Sequence, residues 1–253
     1  MIKLNLSLYI IQKVEKMEIG EIIGDAFVYP INNIKSLIIY MIIGIVTAFL
    51  GGAGLFGMMA SASGNNVLAA GGLGFISVLI FIIGYLLISG YGLDIVKFGI
   101  ERRDDGPGID LVRQILNGVK LIIVSFVYYI IPAIISWLLL TLLGEGILTV
   151  IIVFIITVVF AFAQFMAVCR LAKYDSLGEA LAVGAAIGDV SKVGILKVLL
   201  TVIAVVLIGF IIAFIFGLIY QANQTIGGIL LGIFGVYFIF FANRAMGLLY
   251  SDA

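Results

Sequence analysis

Ser36-Leu37-Ile38-Ile39-Tyr40-Met41-Ile42-Ile43-Gly44-Ile45-Val46-Thr47-Ala48-Phe49-Leu50 opens a stretch that runs to Leu93 without one charged side chain. A helix that spans a bilayer needs about 20 apolar residues, so the stretch is read as two spans and a turn. The turn is small and polar: Ala60-Ser61-Ala62-Ser63-Gly64-Asn65-Asn66. A soluble core does not account for it, and the whole chain has the same character. Its 253 residues are 64% hydrophobic and 11% charged, with a mean hydropathy of +1.32; a soluble domain carries about 25% charged residues.

Working outward, the apolar pattern predicts six helices, near 36–58, 73–93, 121–143, 147–169, 198–220 and 226–246. Short turns at 60–66, 144–146 and 221–225 join them into three antiparallel hairpins. The 14 Lys and Arg residues then fall on one side. Lys3, Lys13, Lys16 and Lys35 precede the first span; Lys97, Arg102, Arg103, Arg113 and Lys120 separate the second and third. Arg170, Lys173, Lys192 and Lys197 separate the fourth and fifth, and Arg244 closes the sixth. The other face carries one charge, Glu145. Bases collect on the cytoplasmic side of membrane proteins, so the expectation is an all-α, multi-pass plasma-membrane protein with both termini cytoplasmic. Residues 1–16 are expected to be a poorly ordered tail or to precede the true start at Met17, with 17–253 as one membrane domain. The apolar run Leu4–Ile11 ends in Gln12-Lys13 with no small-residue cleavage site, unlike a signal peptide.

A short amphipathic segment precedes each hairpin. In the first, Ile19, Ile22, Ile23, Ala26 and Phe27 follow one helical face, with Glu18, Glu21 and Asp25 on the other. In the second, Ile109, Val112, Ile115, Leu116 and Val119 oppose Asp110, Arg113 and Asn117. The third begins at Ser176-Leu177-Gly178-Glu179, a capping-box pattern. Each is too short to span and is expected to lie at the headgroup level, apolar face toward lipid. The unit of interfacial helix, span, turn, span recurs over 18–103, 104–175 and 176–253, a repeat of pattern rather than of residue identity. Pro132 should kink the third span. Trp137 is placed at the outer interface and Tyr29, Tyr91, Tyr174 and Tyr250 at the inner one.

No catalytic constellation emerges. There is no histidine and one cysteine, Cys169, which removes the commonest general base and any Cys/His metal site and leaves no internal disulfide. Asp104, Asp105 and Asp110 stand among Arg102, Arg103 and Arg113; a self-paired loop is the preferred reading over a metal site. No Walker, nucleophile-elbow or zincin motif is present. The expectation is a non-enzyme with no cofactor, no metal and no nucleic-acid partner. Its surroundings would be the bilayer and anionic headgroups at the cytoplasmic face. No acid or base falls at mid-bilayer in these spans, which counts against ion-coupled transport. Gln164 is the deepest strongly polar residue, and with Asn243 it is the candidate lining of a polar cavity. Gly228 and Gly232 form a small-xxx-small pair, read as packing within the chain in preference to a dimer seam. Asp94, Arg170 and Arg244 end the second, fourth and sixth spans at similar depth, so Asp94 is expected to pair with one of the two arginines.

The stretch Gly90-Tyr91, Val96-Lys97, Gly99-Ile100, Gly106-Pro107, Asn117-Gly118-Val119-Lys120 and Tyr128-Tyr129-Ile130-Ile131-Pro132, together with Gly20–Pro30, resembles an archaeal membrane family found in methanogens, domain of unknown function 4013. The resemblance runs over most of the chain from Met17. It departs at Gly106-Pro107-Gly108-Ile109, where the family favours Leu-Pro and an aromatic. The family has no assigned activity, so the resemblance implies topology and origin and no catalytic residue. Two readings remain: a membrane-organising or partner-binding protein, and a transporter or channel for a small, weakly polar or lipid-like solute.

Overall fold

The computed structural model describes residues 16–253, among which lie nine helices and no strand. They are α1 (Ile19–Asn32), α2 (Ile34–Ser63), α3 (Val67–Ile100), α4 (Leu111–Leu143), α5 (Ile147–Tyr174), α6 (Leu177–Ala180), α7 (Val183–Val193), α8 (Ile195–Ala222) and α9 (Gln224–Tyr250). Six of them, α2, α3, α4, α5, α8 and α9, are long and apolar enough to cross a membrane. Except for Lys16, the expected N-terminal tail lies outside the described residues.

Local chemistry sets the boundaries. Glu18 and Glu21 close a capping box on α1. Asp110 accepts from the Arg113 amide to start α4, and Asn223 accepts from Ile226 to start α9. Asn65 takes a left-handed φ of 59° in the α2–α3 turn and Asp175 one of 51° after α5, conformations that asparagine and aspartate tolerate best among side-chain-bearing residues. Pro132 sits inside α4, which continues past it.

One boundary and two burial patterns differ from expectation. The second amphipathic segment is not a separate helix: α4 runs unbroken from Leu111 through it, because nothing between Asp110 and Pro132 interrupts the ladder. The first and third are separate, and their apolar faces dock on protein rather than lipid. Ile22 and Ala26 of α1, and Ala186 and Val193 of α7, are buried in one core cluster with Ala167, Phe241 and Leu248. The interfacial tyrosines are also mostly internal. Tyr29, Tyr91 and Tyr250 are buried; Tyr174 alone of the four is exposed.

Helices α3, α5 and α9 contact one another as an inner trio, with α2, α4 and α8 packed outside. Along α2 and α3, Tyr40 stacks on Tyr91 at 4.1 Å, Gly84 faces Thr47, Gly51 faces Phe81 and Gly54 faces Ser77. One number rises as the other falls, so the two run antiparallel. The inner trio is tightest at its charged end. Gly99 and Gly247 let α3 and α9 cross backbone to backbone, where a methyl on Gly99 would meet the Gly247 Cα at 2.9 Å. Toward the other end buried side chains thin out and apolar surface faces outward.

Candidate functional site

Among the ion pairs at the charged end of the bundle, three clusters share one plan; a fourth, Asp252 with Arg102 and Lys197, ties the C-terminal end to the α3–α4 loop and the start of α8. The last two turns of α3, α5 and α9 each carry one buried charge, Asp94, Arg170 and Arg244. Each is met by an amphipathic segment of opposite sign. Arg113 Nη2 reaches Asp94 Oδ2 at 3.0 Å and Asn117 Nδ2 donates to Asp94 Oδ1 at 3.0 Å. Arg170 Nη1 reaches Asp189 Oδ2 at 2.9 Å, and its Nη2 pairs with Glu179. Arg244 pairs with Asp25 at 2.7 Å and Asp104 at 3.2 Å. The second segment holds the end of the second span, the third holds the fourth, and the first holds the sixth, closing the ring.

The expected pairing of Asp94 with Arg170 or Arg244 is therefore wrong. Similar depth on neighbouring helices does not bring these groups together, because each is already paired: Asp94 and Arg170 with the linker that follows them, and Arg244 with the N-terminal helix α1 and Asp104.

Around Arg244 the guanidinium is fully used. It also donates to the Arg103 and Phe98 carbonyls and lies 4.7 Å from the Tyr29 ring. Tyr29, whose phenol is pushed above its ordinary range by burial, donates to the Asp105 carbonyl at 3.4 Å. Tyr91 donates to the Pro107 carbonyl at 3.2 Å, pinning the same loop. The loop carboxylates have cation or backbone partners: Asp104 holds Arg244, Asp105 holds Arg103, and Asp110 caps α4. Side-chain hydrogen bonds from Arg103 hold the exposed Asp105 carboxyl below the usual range.

Around Arg170, Asp189 accepts from Arg170, from Lys192 Nζ at 2.6 Å and from Tyr250 Oη at 2.7 Å. Burial works to raise its carboxyl, but these three donors override that and hold it below the usual carboxylate range. Ser176 caps α6 as expected, yet the Glu179 side chain goes to Arg170 instead of back to the cap.

The Asp94 member alone is open. A cavity of about 520 Å³ lies beside it, between the ends of α3 and α5 and the start of α4. Its floor is Leu93, Leu171 and Ala172; its rim holds Lys97, Glu101, Asp110, Arg113, Lys120 and Asp175.

Other expected positions fall elsewhere. Gln164 donates to Ser125 Oγ at 3.2 Å, and Asn243 donates to the Ile239 carbonyl of its own helix at 2.7 Å beneath Gly92. Each is thus satisfied by a local partner. Gly228 and Gly232 are both exposed, and only Gly228 has a neighbour, the Tyr220 ring, within reach of an added methyl. A methyl on Gly232 would touch nothing, and both line an apolar groove of about 720 Å³ between α2 and α9. The glycine that is packed is Gly227, against Tyr220. Cys169 is buried, its thiol 3.8 Å from the Met246 carbonyl. Asp25 and Arg113 were visible as polar-face residues of their segments; Asp189 was missed. The signal for all three was sign: each segment carries a charge opposite to that of the span end it meets.

No curated protein and no solved structure matches the chain. One family model does, over residues 73–221. That range takes in the Asp94 and Arg170 clusters with their segment partners and the cavity between them, and leaves out both Asp25 and Arg244. Since the match spans more than half of the sequence, the chain belongs to the family described as protein of unknown function (DUF4013).

Proposed function

We propose that this is a plasma-membrane protein of six spans in three hairpins, with both termini cytoplasmic, that organises the lipid around it and catalyses no reaction. The archaeal source implied by the resemblance is part of the same reading. The observation that carries it is the ring of ion pairs, which fixes three amphipathic segments at one end of an otherwise apolar bundle. At that end α1 turns Val28 and Ile31 outward and α4 turns Leu111 and Val112 outward, beside the exposed bases Lys35 and Lys173. Apolar edges next to exposed bases suit the boundary between acyl chains and anionic headgroups, where each base adds about 1 kcal/mol of attraction. Burial of the pairing charges favours a rigid framework over a moving gate, and the deepest polar pair, Gln164 with Ser125, is local.

Two measurements test the reading. With Cys169→Ser as background, a cysteine at Asp104 should be labelled by an impermeant reagent only after the membrane is opened; labelling of intact cells refutes the orientation. Native mass spectrometry of the detergent-purified protein should find phosphatidylglycerol retained, and retained less in Lys35→Gln/Lys173→Gln. Bare protein under conditions that preserve other lipid adducts refutes the lipid role.

A further inference from the structure

The three clusters share a plan but not a degree of closure. Arg170 and Arg244 are long side chains, 9% and 1% exposed, met by acids from separate short helices, α6 and α7 at Arg170 and α1 at Arg244. At the remaining position the polarity is reversed. Asp94 is short, and its partner Arg113 comes from α4 itself with 47% of its side chain exposed. Among the described residues no separate amphipathic helix covers this member, because the second segment has been absorbed into α4. The 520 Å³ cavity is the space that such a helix fills elsewhere. It lies within the roughly 300–1,000 Å³ typical of small-ligand sites.

Its charge is balanced and partly committed. Asp94 is held by Arg113, Lys120 by Asp175, and Arg103 by Glu101 and Asp105. The Lys97 side chain makes no hydrogen bond or ion pair among the described residues, and Asp110 spends one oxygen on the cap of α4. A cation with free donors and a carboxylate with a free oxygen thus face one cavity with an apolar floor. Its wall continues onto Val112 and Leu116, both exposed on the outer face of α4.

We propose that this cavity binds the zwitterionic headgroup of a phospholipid bearing a primary amine. The phosphate lies against Lys97 and Lys120, the ammonium against Asp110 and Glu101, and the acyl chains along Val112 and Leu116. An anionic headgroup could meet Lys97 but would bring no donor for the free oxygen of Asp110. A choline headgroup has no N–H to give Asp110. The diacyl lipid, rather than a soluble phosphoamine, is favoured by the continuity of the cavity with the outer apolar face. The site deepens the lipid-organising reading and rests on it.

The test is native mass spectrometry of the full-length protein titrated with phosphatidylethanolamine, phosphatidylcholine and phosphatidylglycerol. Phosphatidylethanolamine should bind most tightly as a single adduct, and soluble phosphoethanolamine should compete for it only at much higher concentration. Lys97→Met, an exposed position, should weaken that adduct about tenfold, the loss of one charge-assisted contact, with the thermal midpoint unchanged. Ala172→Phe, which fills the floor, should abolish it, while Lys35→Gln should leave it intact. Equal binding of the choline lipid, unchanged binding in a folded Lys97→Met, or soluble phosphoethanolamine binding as tightly as the lipid would overturn the proposal. Retention of phosphatidylglycerol through Lys35 and Lys173 in the same spectra would leave the broader lipid role standing; its loss as well would bring down both.

Discussion

Asp189→Asn probes the framework at a fully buried acid. The Asp189 side chain is 2% exposed and takes three donors, from Arg170, Lys192 and Tyr250. Breaking a buried pair by removing one charge costs about 3–5 kcal/mol. Asparagine keeps one acceptor oxygen, and Arg170 keeps Glu179, so the low end applies, about 3 kcal/mol. At this size that is a fall of about 6–12 °C in thermal midpoint. The assay is thermal unfolding in detergent of Asp189→Asn, Arg170→Gln and the double variant. The pair predicts a coupling well above 0.5 kcal/mol, with the double variant less damaged than the sum of the singles; additivity within about 0.5 kcal/mol would refute it. Acid gives a second readout. The folded carboxyl lies below the ordinary aspartate value of 3.8. Its contribution is therefore complete above that pH and is lost as pH falls through the lower folded value. Wild type should lose stability there more steeply than Asp189→Asn.

Glycine substitutions should separate close approach from empty space. Gly90→Ala would drive a methyl into the Gln114 carbonyl and should cost about 3 kcal/mol or more, whereas Gly232→Ala, with nothing in reach, should stay within about 0.5 kcal/mol of wild type by thermal melting. Tyr40 donates to Gln114 Oε1, and the buried Gln114 Nε2 has no partner. Tyr40→Phe should therefore cost about 1–3 kcal/mol by stranding the whole amide, and adding Gln114→Leu should recover most of the loss.

The six long apolar helices were legible because an uncharged run of this length suits a bilayer and would leave a soluble fold without a polar surface. Their inner ends were not. Helix α3 continues past Leu93 to Ile100 through Asp94 and Lys97, since a charge with a partner does not end a helix. Likewise Asn117-Gly118 reads like an interruption but is part of α4, with Gly118 packed under the Leu86 carbonyl. The amphipathic faces were found correctly, yet what they face was not. Periodicity shows that a face is apolar and is silent on whether lipid or protein covers it. Partners across the ring were hidden by distance: Asp25 and Arg244 are 219 residues apart.

That separation has a consequence for biosynthesis. Helix α1 emerges from the ribosome with its acid and its apolar face ready, but the residue it grips on α9 is made 219 residues later. At about 5–20 residues per second, Asp25 waits roughly 10–45 s for Arg244. Until then Ile22 and Ala26 have no protein surface of α9 to cover them, and α1 must rest on the bilayer. Docking of α1 on α9 thus waits on the synthesis of α9, and a chain truncated before α9 leaves the apolar face of α1 without that cover.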